Sequence, residues 1–139
     1  MKVSLVVVCH HSSRVLSGCV ESFRSEASAA GVESEEVAVE QSEDAAELAK
    51  VEDIGVDLLL ERPNRGYAAG LNTGAGEAGG EALLLANPDI RFFPGSVAAL
   101  LTGIDQGYDV VGPQFVWDPD GKVLLPAAED PAPRAEIGR

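Results

Sequence analysis

Positive charge is what this chain has least of. Ten Lys and Arg stand against twenty-three Asp and Glu in 139 residues, a formal charge of −13. Such a surface repels the phosphates of DNA and RNA, so nucleic acid is not an expected partner. Long apolar runs are missing too. Leu5 to Cys9 (LVVVC) and Ala82 to Ala86 (ALLLA) fall far short of the roughly 20 residues of a membrane-spanning helix, and no transmembrane segment is expected. Met-Lys leads straight into a strand-like run without the small-residue cleavage pattern of a secretory leader. The expected compartment is therefore the cytoplasm, with the inner face of the membrane as a variant of it. Two cysteines, Cys9 and Cys19, make no disulfide framework, and both are expected to be reduced.

What is present is enough for one domain with one core, since 45% of the residues are hydrophobic. Val3 to Val8 (VSLVVV) is β-branched and nearly continuous, as in a strand buried on both faces of a parallel sheet. From Ser13 to Ala30 the positions Val15, Leu16, Cys19, Val20 and Phe23 recur at helical spacing, with Gly31 as a stop. Further along, strands are expected at Glu36 to Glu40, Val56 to Leu60 and Ala82 to Ala86, and helices at Glu43 to Glu52, Tyr67 to Ala78 and Pro94 to Gln106. Gln114 to Leu125 reads as a hairpin around Asp118 to Gly121. Residues 1–125 thus form the expected α/β domain, and Pro126 to Arg139, rich in Pro, Ala and charge, a loose tail. Alternating strands and helices predict a doubly wound, mainly parallel sheet with helices on both faces. Ligands of such folds collect at the carboxyl ends of the strands. His10 to Ser13, Gln41 to Glu43, Glu61 to Gly66 and Asn87 to Asp89 would all line that edge.

Several motifs compete for meaning. Gly74 to Gly80 (GAGEAGG) contains a formal G-x-G-x-x-G, but a dinucleotide fingerprint follows a strand and opens a helix. This one follows a helix and precedes a strand, so it reads as a helix end. His10 and His11 beside Cys9 lack metal-ligand spacing, and neighbours on an extended chain point to opposite sides; a place for His11 at the ligand edge fits better. Arg62 to Gly74 (RPNRGYAAGLNTG) places Gly, Asn and Arg where a strand gives way to a helix. Backbone amides and Arg65 could meet an anion there while Tyr67 packs beside a base or sugar; the competing reading is a polar turn before a glycine-weakened helix. In Leu83 to Ile90 (LLLANPDI), Asn-Pro-Asp can be a simple strand terminator. It can also be a site: Pro88 fixes the turn, Asp89 offers a hard oxygen to Mg²⁺ or Mn²⁺, and Asn87 adds a neutral ligand or hydrogen bond. That ion would supply the cation an acidic chain needs to hold a diphosphate.

Together these segments resemble the donor-binding half of a family 2 inverting glycosyltransferase of the GT-A fold, in its rhamnosyltransferase-like branch. VSLVVVCHHSSRVLSGCVESF is similar to the family's first strand, loop and helix, and VAVEQSED to its Val-Val-Asp-Asn-x-Ser segment. NRGYAAGLNTG resembles Asn-x-Gly-Phe-Ala-x-Gly-x-Asn-x-Gly, LLLANPDI the Leu-Asn-Pro-Asp-Val form of the D-x-D motif, and VGPQFVWDPDGKV the branch's Gly-Pro and Asp-Gly hairpin. The resemblance implies a donor such as a dTDP- or UDP-linked sugar. It makes Asp89 the metal ligand with Asn87 as its partner in the motif, gives Glu40 the base-contacting place, assigns Asn64 and Gly66 to the nucleotide loop, and lets Asn72 support the same pocket. Departures are Glu40 for Asp, Gln41 for Asn, and Cys9-His10 for Thr-Tyr.

The family's catalytic base lies in a later Glu-Asp-x-Asp segment, and Glu129-Asp130 lacks that setting. Two functions follow as expectations. One is nucleotide-sugar binding, with inverting transfer if a partner chain supplies the base. The other is an inactive interaction or regulatory module of the same fold, with self-association through surface left apolar. A flavodoxin-like or receiver-like domain is a third reading, and Cys-His-His stands where a receiver needs its acidic pocket.

Overall fold

The computed structural model describes residues 1–113 together with 116, 118, 120, 122 and 123; the expected hairpin falls largely, and the expected tail entirely, outside the described residues. The apolar run at the start forms β1 (Lys2–Cys9), buried from Val3 onward, and a strand buried on both faces needs strands beside it and helices above and below. These follow in alternation: α1 (Ser13–Ala29), β2 (Glu33–Glu40), α2 (Ala45–Glu52), β3 (Leu58–Glu61), α3 (Tyr67–Glu77), β4 (Ala82–Ala86) and α4 (Ser96–Asp105). The sheet order is β3-β2-β1-β4 and each neighbouring pair is parallel.

Topology decides where the helices lie. The chain steps outward from β1 to β2 to β3, and with crossovers of one hand α1 and α2 share a face. It then returns past β1 to lay down β4, which sends α3 to the other face. Leu5, Val7 and Cys9 pack with Leu16, Val20 and Phe23 of α1 and Val51 of α2, and Val97 of α4 joins them. Val6 and Val8 pack with Val37 and Val39 on the α3 side. Strand order reverses between β1 and β4, the place where doubly wound sheets open a crevice at their carboxyl edge.

Several boundaries differ from the sequence expectation, each for a polar reason. β2 begins at Glu33 instead of Glu36 because Glu35 is tied across the sheet, accepting from Lys2 Nζ at 2.6 Å and from the Gly79 amide at 2.7 Å. α2 begins at Ala45 because Asp44 caps it, accepting from the Ala46 amide at 2.8 Å, while Glu43 takes a positive φ of 54°. β3 begins at Leu58 because Asp57 meets β2 through its side chain, accepting from the Glu36 amide at 2.8 Å. α4 begins after Gly95, whose φ of 83° suits glycine and whose amide donates to the buried Glu26. Among the described residues no helix is long and apolar enough to cross a membrane.

Candidate functional site

All four strands point their carboxyl ends at one edge, so the turns after them assemble there. The first two turns are tied together. His11, at φ 49°, donates its amide to Ser42 Oγ at 2.7 Å, and His10 Nδ1 lies 3.3 Å from the Gln41 carbonyl. A non-glycine residue in the left-handed region is uncommon, and here His11 and Glu43 both adopt it at the same edge. The His11 ring stands exposed against His10, with ring centroids 4.7 Å apart, and its Nδ1 is 4.0 Å from Asp44 Oδ2. Beneath them Glu47 accepts from the amide and hydroxyl of Ser13 and from Lys50, and the Lys50 ammonium, then the Ser13 hydroxyl, hold its carboxyl down to about 2.

Glu40 ends β2 with only 2% of its surface exposed. One oxygen accepts from the Ser42 amide at 2.6 Å; the other, Oε2, is buried without a partner among the described residues. An unpaired buried carboxylate oxygen is costly in a fold that pairs its polar groups, and marks a place where a donor is missing. Beside it, burial, with the Glu40 charge second, pushes the Cys9 thiol up to about 12. Burial likewise raises Cys19 to about 11. Both cysteines are free and buried.

The third turn leads into α3. Asn64 accepts from the Gly66 amide at 3.0 Å in an Asx turn, and its own amide donates to Glu43 Oε2 at 3.4 Å, joining this turn to the second one. Gly66 is the N-cap at φ 91°, and no side chain caps the helix. The first amides of α3 therefore face outward unpaired by the helix itself, beside the exposed Arg65 and Tyr67. The glycines further along this helix serve packing rather than anion contact. A Cβ on Gly70 would stand 2.8 Å from Val8 Cγ2 and 3.1 Å from Gln41 Nε2, so α3 lies close on the sheet because it has no side chains there. Asn72 does not join the others: two residues on from Gly70, it is exposed on the face of α3 turned away from the sheet.

The fourth turn carries Asn87 and Asp89, both exposed. Its backbone is anchored from behind. Cys19 Sγ donates to the Asn87 carbonyl at 3.8 Å, and the Arg91 guanidinium lies over Gly18 and donates to the Val15 carbonyl at 3.2 Å. Asp89 takes part in no ion pair among the described residues, so its carboxylate is neither turned inward nor neutralised. Tyr67 and Asn87 line one groove of about 970 Å³, which brings the third and fourth turns to a common opening. Among the described residues no three His, Cys, Asp or Glu gather as a metal site. A lone accessible carboxylate fits an ion such as Mg²⁺, which keeps water and takes its other oxygens from a bound phosphate.

Gln41, Ser42 and Glu43 were expected at this edge without a role of their own, and Glu47 was not expected there; the sequence reading missed all four as supports. The signal available was the run of Ser, Glu and Asp after a strand, the composition of side-chain-bonded turns.

Such a sheet, with its strand-end turns converging where the order reverses and a free carboxylate beyond β4, defines a Rossmann-like α/β domain of GT-A type. Residues 4–137 match the family model described as glycosyl transferase family 2, and the chain belongs to that family. The crystal structure of S. aureus TarS 1-349 is similar, with a TM-score of 0.58 at 22% identity, over 76% of this chain and 33% of that one. The chain thus spans about a third of the length of that structure, and a likeness at this identity speaks for the fold. No curated protein matches.

Proposed function

We propose that this chain binds the nucleotide-diphosphate sugar of an inverting sugar transfer to an acceptor hydroxyl, with a dTDP- or UDP-linked donor in the manner of the rhamnosyltransferase-like branch. The observation that carries this reading is the shared opening between the third and fourth turns. Tyr67 and Asn87 line it, with the uncapped start of α3 at Tyr67 and the exposed Arg65 two residues before it in sequence, and the exposed, unpaired Asp89 two residues after Asn87. Asp89 would hold Mg²⁺ or Mn²⁺, and such an ion supplies charge stabilisation to a leaving diphosphate.

The chain's own residues do the rest. Glu40 takes the base-contacting place, its buried Oε2 accepting an N–H of the base once binding uncovers it, while Asn64 and Gly66 shape the loop beneath the nucleotide, His11 closes its side of the crevice, and Tyr67 packs along the sugar or base. Arg65 and the α3 amides bind diphosphate oxygens, a stronger demand here than usual because the surface is so acidic. Asn87 hydrogen-bonds beside Asp89. Inversion needs a carboxylate base on the face opposite the leaving group; we assign that base to a polypeptide segment beyond the described residues or on a partner chain.

A second reading, an interaction module without transfer activity, is favoured by one feature: the apolar edge of β4, where Leu83 is 47% and Leu85 53% exposed. Calorimetry separates the two. dTDP- and UDP-sugars are titrated with and without Mn²⁺ into the native chain and Asp89→Ala. Binding that requires Mn²⁺ and disappears in the variant supports donor binding, whereas silence under all conditions leaves the interaction module.

A further inference from the structure

We propose that Arg91, seated on Gly18 of α1, is a positioning residue for Asp89 and clamps the exit of the turn that carries this carboxylate; the inference rests on the donor reading above. The turn is closed by its own backbone. The Ile90 amide donates to the Asn87 carbonyl at 3.3 Å, which makes Pro88 and Asp89 its two central residues. Where the turn aims its carboxylate depends on how its two ends are fixed, and α1 fixes both. At the entry, Cys19 Sγ donates to the same Asn87 carbonyl at 3.8 Å. At the exit, one guanidinium nitrogen of Arg91 donates to the Val15 carbonyl at 3.2 Å and to the Ile90 carbonyl at 3.1 Å, and the Phe92 amide donates to Ser22 Oγ at 3.1 Å. Val15, Gly18, Cys19 and Ser22 are spaced as one face of a helix, so a single rigid rail carries all of these contacts.

Gly18 is what lets Arg91 reach that rail. A Cβ there would overlap the guanidinium, so any side chain at this position evicts the arginine. Glycine inside a helix is unfavourable relative to alanine, and a helix that only had to pack would do better without it. Charge pairing does not explain the contact either. Arg91 joins no ion pair among the described residues, although Asp89 stands two residues before it. Its guanidinium goes to two carbonyls instead, which fixes the backbone and leaves the Asp89 carboxylate free for a cation. A partner that bonds a metal ligand directly is typically worth about 10–100-fold in affinity. Arg91 acts one step further away, through the backbone, and its removal is expected to cost about three- to tenfold.

The experiment titrates UDP and dTDP by calorimetry into the 139-residue chain, once with saturating Mn²⁺ and once with EDTA, and takes the ratio of the two dissociation constants as what the metal adds. In the native chain that ratio is expected well above one, and Asp89→Ala brings it to one. Gly18→Ala and Arg91→Ala should each lower it about three- to tenfold and leave binding in EDTA unchanged. The double variant G18A/R91A should fall no further than either single one, because both changes empty the same seat. Urea unfolding separates positioning from folding. Gly18→Ala gives α1 a better helix former and should unfold at the same or a higher urea concentration, so its loss of metal dependence cannot come from a weakened fold. Single variants that keep the native ratio, or a double variant that loses the product of the two single losses, overturn the role of Arg91 while the donor reading stands. A ratio of one in the native chain, or a ratio unchanged in Asp89→Ala, overturns the donor reading and this role with it.

Discussion

Gly74 of α3 lies so close to β1 that a Cβ there would stand 2.5 Å from Val6 Cγ1 and 3.0 Å from Val39 Cγ2. Gly74→Ala therefore forces the helix off the sheet. Overpacking costs about 1–3 kcal/mol, more than the ~1 kcal/mol of helix propensity that alanine returns. Gly76, two residues on, has nothing within 4 Å of its Cβ position, and Gly76→Ala should stabilise by a few tenths to about 1 kcal/mol. Urea unfolding of both variants checks the contrast, and equal effects at the two positions would show that α3 does not sit this close to the sheet.

That helix also marks where the sequence was readable. β4 was expected at Ala82 to Ala86 and lies there, because five apolar residues bounded by Gly-Glu and Asn-Pro leave little choice. The parallel, doubly wound order followed from alternation alone. Glycine content lowered the expectation for α3, since propensity cannot express a close approach that only the tertiary structure requires. The start of β2 was misplaced because Glu33 to Glu35 read as loop residues, and that of β3 because Val56 and Asp57 read as strand; in the fold Glu35 is held by Lys2, and the Asp57 carboxylate accepts from the Glu36 amide instead of extending the strand. At the site, topology placed the strand-end turns correctly. What the sequence could not convey was the burial of Glu40, the left-handed backbone of His11, or the outward turn of Asn72.

Acid stability should follow Glu35 and Glu47. The Lys2 ammonium, then the Ser4 hydroxyl, hold the Glu35 carboxyl down to about 2 from an ordinary 4.5, and Glu47 is lowered to about 2 as well. A depressed carboxylate stabilises the fold fully above its unfolded pKa, and the contribution is lost as pH falls through the folded one. Unfolding free energy should therefore decline between about pH 4.5 and 2. Glu36 acts in the opposite sense: burial raises it in spite of the Arg24 guanidinium, so its protonation favours the fold as acid is added. Glu35→Gln should flatten the decline in urea titrations at stepped pH; an unchanged slope would show that the Lys2 pair carries no linkage.

Both thiols should be silent in the folded chain. Cys9 near 12 and Cys19 near 11 hold almost no thiolate at pH 8, and both are buried. Reaction with a chromogenic disulfide is expected to await opening of the fold, so its rate should rise steeply with urea and stay independent of reagent concentration once reagent outpaces reclosure. Rapid labelling of either cysteine in buffer would contradict the burial of the β1 end and of α1.

Glu40→Gln separates a structural carboxylate from a binding one. Glutamine keeps an oxygen for the Ser42 amide but removes the buried charge whose second oxygen has no partner. If the carboxylate served only the fold, its loss would lower stability. The structure argues the reverse: burying an unpaired anion is unfavourable, so the variant should unfold at the same or a higher urea concentration. Donor binding should suffer, because the amide presents N–H groups where a base N–H needs an acceptor. A hydrogen bond to a charged group contributes about 1.5–3 kcal/mol, which corresponds to a roughly ten- to hundredfold weaker dissociation constant for a dTDP- or UDP-sugar. Uridine alone, lacking the diphosphate, should lose affinity by the same factor and without any dependence on Mn²⁺. An E40Q chain that binds both ligands as tightly as the native one would remove Glu40 from the site and leave its burial to be explained by the turn it closes on Ser42.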